Sequence, residues 1–274
     1  MTLLAVAVNG RGVVDPEEPV LRADDEALLR GRAAFETIRV YGGKPFKLAE
    51  HLDRLAASSE RIGLPAVNRL ELDELARQAL DAAGAPDSVL RLIWTPTPAA
   101  LALVSELGDH YDDLRARGQA LIALRGIRAE EPWMLPGVKS TSYAVNMAAE
   151  AEARRRGADD AVFVDAAGIV LEGPTTNIWW RRERTLFTPS LDLGILAGVT
   201  RATVIELAGD AGYHVEEGTY GLSELQTAEE AFTSSSVREV MPVTALDGSP
   251  IARGTAADEL QAALRRAAGA TLAA

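Results

Sequence analysis

The sequence predicts a mixed α/β (α+β) fold in two domains. Three observations carry this. Strand-like and helix-like segments alternate along the chain, an irregular proline-bearing stretch interrupts them between Gly108 and Gly137, and 47% of the 274 residues are apolar, enough for a sizeable core. Leu3 to Val8 is apolar and runs into Asn9-Gly10-Arg11-Gly12, a first strand and its turn. Ala34 to Tyr41 (AFETIRVY) is rich in aromatic and β-branched residues and stops at Gly42-Gly43, so it reads as a strand. Lys47 to Ile62 sets Leu48, Leu52, Leu55 and Ile62 at helical spacing, and Gly63 and Pro65 end it. Leu70 to Ala83 is a second amphipathic helix, and Val89 to Thr95 (VLRLIWT) is a strand closed by Pro96 and Pro98.

The irregular stretch holds one strand-like run, Ala120 to Leu124, and a charged run, Arg125 to Pro136. The domain boundary is expected here: residues 1–108 form one domain, 109–115 a connection, and 116–274 a second domain. Tyr143 to Arg156 is an Ala- and Glu-rich helix. Ala161 to Val164 pairs with Ile169 to Leu171 about Asp165-Ala166-Ala167-Gly168, and Asn177 to Arg181 pairs with Thr185 to Phe187. Thr200 to Ala211 is a helix, Glu230 to Ser235 a strand, and Ala256 to Ala267 a last helix before a frayed end.

Forty acidic against 28 basic side chains give a net charge of −12. That disfavours a partner in nucleic acid, which needs a basic face, and docking on anionic membranes. No Cys is present, which excludes disulfides, thiolate metal sites and cysteine nucleophiles. The three His (His51, His110, His214) are scattered, so no metal site is expected. Leu3 to Val8 is too short and lacks the basic flank of a signal peptide, so a cytoplasmic location is expected.

Lysine usage points to chemistry. Only Lys44, Lys47 and Lys139 stand among the 28 basic residues. An amine can deprotonate where a guanidinium cannot. Lys44 and Lys47 flank the Gly42-Gly43 turn and read as surface residues. Lys139, in PGVKSTSY, follows a Gly and precedes a helix, whose positive dipole end favours the neutral amine that attacks an aldehyde. Glu172, in LEGPTTNIWW, is either a turn carboxylate or an acid that keeps a pyridine nitrogen protonated. Gly198-Val199-Thr200 opens a helix and Ser234-Ser235-Ser236 follows a strand; each is either a simple cap or turn or a set of anion donors. Arg54 is either a surface residue or a charge-assisted clamp.

A lone Lys, a downstream acid and two anion-binding turns, in this order, resemble the fold-type IV pyridoxal-phosphate enzymes. These include branched-chain and D-amino-acid aminotransferases and 4-amino-4-deoxychorismate lyases. The resemblance runs from FETIRVYGGKPFKLAEHLDRL through VKSTSYAVNMAAEAEARRRGADDAVFVDAAGIVLEGPTTNIWW and ILAGVTRATVIELA to SSSVREVMPV. It implies a small N-terminal α/β domain, a larger C-terminal domain with a barrel-like sheet that carries the lysine, pyridoxal 5′-phosphate in the cleft between them, and a homodimer acting on a small-molecule amine. It implies further that Lys139 holds the cofactor, that Glu172 bonds its pyridine nitrogen, and that Arg54, the Val199 and Thr200 amides, Ser235 and Ser236 hold its phosphate. Asn177 and Tyr143 fall near pocket-lining positions, Tyr143 one residue nearer the lysine than in typical branched-chain enzymes.

Three features resemble the lyases most. Thr37, in FETIR, stands where branched-chain aminotransferases carry Gly and lyases carry Thr, which implies a catalytic hydroxyl. HYDDLRARG (His110 onward) resembles the HYD segment of bacterial lyases, and SYAVNMA with GADD and VLEGP resembles actinobacterial lyases. Two departures stand beside them. Gly31-Arg32-Ala33-Ala34 replaces a Gly-Asp-Gly, and Pro96-Thr97-Pro98 replaces the Arg-Gly whose Arg holds the substrate carboxylate in D-amino-acid aminotransferases, which counts against that branch. Arg128 and then Arg91 are the candidates for a substrate-carboxylate cation.

Overall fold

A computed structural model describes residues 2–97, 99–126 and 132–269. The chain falls into two compact units. The first takes the chain up to Gly108 together with Val138–Tyr143, and the second takes Asp109–Gly137 and Ala144–Ala267. The segment that carries Lys139 therefore packs with the first unit, not with the rest of the chain beyond residue 116.

The first unit runs β1 (Leu3–Val8), β2 (Gly12–Val14), α1 (Glu26–Arg30), β3 (Ala34–Tyr41), β4 (Lys44–Pro45), α2 (Leu48–Arg61), α3 (Arg69–Ala83), β5 (Ser88–Trp94) and β6 (Ala100–Glu106). Its strands form one antiparallel sheet in the order β2-β1-β6-β5-β3-β4. Side chains alternate across β3. Ala34, Ile38 and Val40 enter a core with Leu52 and Leu55 of α2, Leu72 and Leu75 of α3, and Leu90 and Leu92 of β5. Phe35, Thr37 and Arg39 stand on the opposite face. The side chain of Asn68 accepts a hydrogen bond from the Glu71 N–H (3.3 Å) to start α3, and Gly84 ends it in the left-handed region (φ 59°) that only glycine adopts freely.

The second unit runs α4 (His110–Arg117), β7 (Gln119–Arg125), α5 (Ala144–Arg155), β8 (Asp160–Val164), β9 (Asn177–Arg182), β10 (Thr185–Pro189), α6 (Val199–Asp210), β11 (His214–Gly218), α7 (Leu222–Gln226), β12 (Glu230–Ser235), β13 (Glu239–Leu246), β14 (Ser249–Pro250) and α8 (Ala256–Ala267). Its sheet is mixed, in the order β11-β10-β9-β12-β13-β7-β8, with β14 on β13. Leu121, Val162, Val164, Ile178, Trp180 and Val243 make its core under Leu222 and Leu225 of α7. The expected strand Ile169–Leu171 is reduced to isolated bridges, Val164 to Val170 and Ile169 to Gly221. Those bridges tie the β8 end of the sheet to the chain just past β11, which curls the sheet toward closure.

Sequence periodicity misses several elements. Residues 109–115, expected as a connection, lie mostly in α4, whose sequence HYDDLRAR has no apolar stripe and no buried residue. Polar contacts fix it instead. Arg115 reaches the fully buried Glu239 (3.0 Å) and Asp112 (2.6 Å), and Arg265 of α8 meets Glu239 (3.0 Å) as well. Gln261 donates to the same carboxylate at 2.6 Å. Burial pushes the pKa of Arg115 down against the pull of Glu239. Glu239→Ala should leave two cations facing each other in the interior and cost about 3–5 kcal/mol in urea unfolding. Asp112→Ala, at an exposed carboxylate, should cost less than about 1 kcal/mol in the same assay.

Candidate active site

Lys139 is placed by strand pairing. The Phe35 N–H donates to the Lys139 carbonyl (3.2 Å), the Thr141 N–H donates to the Ala33 carbonyl (2.9 Å), and Ala34 bridges Ser140 in antiparallel sense. Lys139 thus lies opposite Phe35 and shares its face. Its Nζ stands 4.5 Å from the centre of the Phe35 ring and 5.5 Å from that of Tyr143, and the two rings meet edge to face at 5.2 Å. Gly31 lets the segment approach: a Cβ there would lie 2.8 Å from Ser142 Oγ and 3.0 Å from its backbone. Thr37, half-buried, is the next residue of β3 on this face, and exposed Arg91 pairs with it in register. The Arg91 guanidinium lies 5.9 Å from the Phe35 ring. Lys139, Thr37, Arg91 and Tyr143 are thus gathered about one phenylalanine.

Beneath them lies a charge cluster that sequence reading missed. Glu36, on the core face of β3, is fully buried. Arg54 meets both its oxygens, Nε to Oε1 at 2.8 Å and Nη2 to Oε2 at 2.6 Å, and His51 Nδ1 lies 2.7 Å from Oε2. Burial by itself would raise the pKa of Glu36; the Arg54 charge and hydrogen bonds, with His51, outweigh it and bring the carboxyl down to about 2. Burial holds the pKa of His51 below its ordinary value despite Glu36, so its ring is neutral at pH 7 and donates from Nδ1. The signal was a Glu at a strand position that alternation assigns to the core, facing His and Arg at helical spacing.

The second unit gathers the other predicted residues around Asn177. This buried first residue of β9 donates through Nδ2 to the Leu196 carbonyl (3.1 Å) and, at 3.5 Å, to Glu172 Oε2. Glu172 Oε2 also accepts from the Leu196 N–H (3.0 Å). Gly198, at the start of α6, is the close approach: a Cβ there would lie 2.1 Å from Asn177 Oδ1. No N-cap side chain closes the helix, so the amides of Val199 and Thr200 in its first turn have no capping acceptor at Gly198. Ser234, opposite Asn177 in the sheet, is used structurally, accepting from Trp179 Nε1 (2.9 Å). Ser235 follows it at the strand end and accepts from the Arg238 N–H (3.3 Å), and half-buried Ser236 begins the turn. Gly198 was singled out from sequence only as a helix start; its close approach to Asn177 and the role of the Leu196 backbone were not. Arg128 lies outside the described residues.

The model of the amino-transferase class IV family matches residues 33–246. An aminodeoxychorismate lyase of Bacillus subtilis (strain 168) is 33% identical, over 93% of this chain and 92% of its own length. A bifunctional aminodeoxychorismate lyase / D-amino acid transaminase of Mycobacterium tuberculosis is 31% identical over 91% and 93%. Among solved structures, a fold IV transaminase from Curtobacterium pusillum superposes with a TM-score of 0.87 at 35% identity, covering 93% of this chain and 91% of that one. The PLP-bound form of a hypothetical aminotransferase from Mycobacterium tuberculosis gives 0.89 at 30%, over 96% and 98%.

Removing Arg54 should strand a buried carboxylate, so Arg54→Met should lower unfolding free energy by about 3–5 kcal/mol in urea titration. The buried cluster also fixes an acid response. His51 resists the proton that the unfolded chain takes up below about pH 6.5, and Glu36 stays ionised to about 2 where the unfolded chain protonates near 4.5. Both effects lower stability as pH falls, the first through the window below 6.5 and the second between 4.5 and 2. In a series of urea midpoints against pH, His51→Gln should flatten the upper part and Glu36→Gln the lower.

Proposed function

The chain belongs to the amino-transferase class IV family, and from that premise we propose that it is a pyridoxal-phosphate-dependent 4-amino-4-deoxychorismate lyase, which releases pyruvate and leaves 4-aminobenzoate for folate synthesis. The observation that carries the choice is Thr37, whose hydroxyl follows Phe35 on the face of β3 that also holds Lys139. The Bacillus and Mycobacterium relatives support it.

The residues present fit the cofactor. A Cβ at Gly198 would fill the space beside Asn177, the α6 amides lack a side-chain cap, and Glu172 offers an acceptor oxygen held by Leu196 and Asn177. The cofactor, when bound, supplies an aldehyde for an amine and a protonated ring that spreads negative charge. In this reading Lys139 would hold it through Nζ and Glu172 would accept from its ring nitrogen. Val199, Thr200, Ser235, Ser236 and Arg54 would supply donors for its phosphate, and Asn177 and Tyr143 would line its pocket. The freed Lys139 amine takes the proton from the substrate carbon that bears nitrogen. The carbon–oxygen bond to the enolpyruvyl group then breaks, and that group takes up a proton to leave as pyruvate. The substrate thereby divides into 4-aminobenzoate and pyruvate, with no water or oxidant consumed. Thr37 sets the proton at the departing oxygen, and Arg91 (or Arg128) holds a substrate carboxylate.

A second reading, an aminotransferase of branched-chain or other amino acids, is favoured by the 35% identity to the Curtobacterium transaminase and the 32% identity to a putative branched-chain-amino-acid aminotransferase of Methanocaldococcus jannaschii. At the place where D-amino-acid aminotransferases carry their Arg, Thr95 and Thr97 are instead joined to buried Asp25. No helix among the described residues is long and apolar enough to cross a membrane, and we read the enzyme as a cytoplasmic homodimer.

Product analysis separates the readings. Given 4-amino-4-deoxychorismate and no keto acid, the loaded enzyme should form equal amounts of 4-aminobenzoate and pyruvate over many turnovers. No turnover there, with conversion of the cofactor to its amine form by an amino-acid donor, would make it the aminotransferase. Lys139→Ala should lose both covalent cofactor absorbance and turnover, and Thr37→Val should lower kcat by about 100-fold, within the range for a positioned proton-transfer group, while leaving cofactor absorbance intact.

A further inference from the structure

We propose that Glu36, together with His51, is a positioning residue for the cofactor phosphate: it fixes the Arg54 guanidinium in the orientation that receives the phosphate ester. The proposal rests on the reading of Arg54 as a phosphate residue given above, and adds what aims it.

The geometry points this way in three steps. Arg54 is held edge-on, both oxygens of Glu36 engaging Nε and Nη2 at 2.8 and 2.6 Å, a two-point contact that fixes the plane of the guanidinium and not merely its position. His51 Nδ1 shares Oε2 with Arg54 at 2.7 Å, a second tether that restrains Glu36 from rotating to follow Arg54. Both are almost wholly buried, whereas the Arg54 side chain keeps 12% of its surface exposed, so the rigid part of the cluster lies in the core and its last member reaches the surface of the unit. One turn beyond Arg54 on the same face of α2, Ser58 Oγ accepts from the Lys139 N–H at 3.2 Å. A single helix face thus registers the lysine and the cation against each other. A group attached at Lys139 and ending in a phosphate would meet an Arg whose rotamer freedom is already spent.

The proposal separates cleanly from simple electrostatics. Glu36 cancels the Arg54 charge, so an argument from charge alone says that Glu36→Gln should tighten phosphate binding. Positioning says the reverse, because the amide cannot accept on both atoms and the two-point contact is broken.

The test compares pyridoxal 5′-phosphate with pyridoxal, which has the same aldehyde and ring but no phosphate. Cofactor-free full-length protein is titrated with each, and binding is read from visible absorbance. Glu36→Gln should lower the preference for the phosphorylated form at least about 10-fold, the loss of one charge-assisted hydrogen bond, and leave pyridoxal binding within about 2-fold of the parent. Should Glu36→Gln fail to fold, His51→Gln, which keeps the ion pair but frees one side of the carboxylate, should lower the preference about 3-fold. An unchanged or increased preference, or equal weakening of both ligands, would overturn the positioning role. Arg54→Met tests the underlying reading separately. If it keeps the full preference for phosphate, Arg54 is not a phosphate residue and the proposal falls with it; if it abolishes the preference while Glu36→Gln does not, only the role of Glu36 fails.

Discussion

A fully buried carboxylate on a central strand is the constraint around which the first unit is built. Glu36 occupies a β3 position whose neighbours on that face, Ala34, Ile38 and Val40, pack against leucines of α2 and α3. An unpaired charge there would cost about 3–5 kcal/mol, a large share of a domain's margin of stability, and α2 presents Arg54 and His51 to it. The consequence is felt on the other side of the same strand. With Glu36 pinned on the core face, alternation sets Phe35 and Thr37 on the opposite face, and the Phe35 N–H is in place to donate to the Lys139 carbonyl. One buried ion pair therefore sets both the face that carries Lys139 and the face that anchors it.

The second unit solves a different problem with a different residue. Its candidate site residues come from three places in sequence: the loop holding Glu172, the start of α6, and the end of β12. Asn177 joins them, through Leu196 and Glu172 on one side and through the missing Cβ of Gly198 on the other. An amide side chain suits this junction because its Nδ2 donates to both the Leu196 carbonyl and Glu172, where a carboxylate could only accept and a Leu would do neither. The glycine matters for space, not for backbone angle, since its φ of −67° is open to any residue.

Much of this was legible in the sequence where local pattern decides. β1, β3, β12 and α8 fall on the expected residues, because alternation, aromatic content or apolar periodicity suffices in each. Lys139 and Glu172 stood out by rarity and by the turns around them. What escaped was non-local. The packing of Lys139 with the first unit depends on a short bridge to β3 over a hundred residues earlier in the chain, which no periodicity reports. Glu36 and His51 were passed over because a charge on a core face looks like an exception until its partners from another element are seen. α4 has no apolar stripe and is held by Arg115, whose partner Glu239 lies far along the chain. The dipole of a following helix, invoked for Lys139 from sequence, gives way to the pairing with β3, since α5 begins only at Ala144.

In the proposed reading the same lysine and the same acid serve an aminotransferase and a lyase alike, which puts the choice between them in what stands beside Lys139. On its own face of β3 that neighbourhood is sparse: Phe35, then Thr37 with Arg91 in register beside it. A Gly at position 37 would leave that step of the strand open to an aliphatic side chain, whereas Thr fills it and offers a hydroxyl. A hydroxyl next to a guanidinium suits a substrate that carries both a departing oxygen and a carboxylate, and it gives a purely aliphatic side chain little to pack against. In the proposed reading, reaction choice rests on this one strand position, set opposite the core face that carries the buried Glu36.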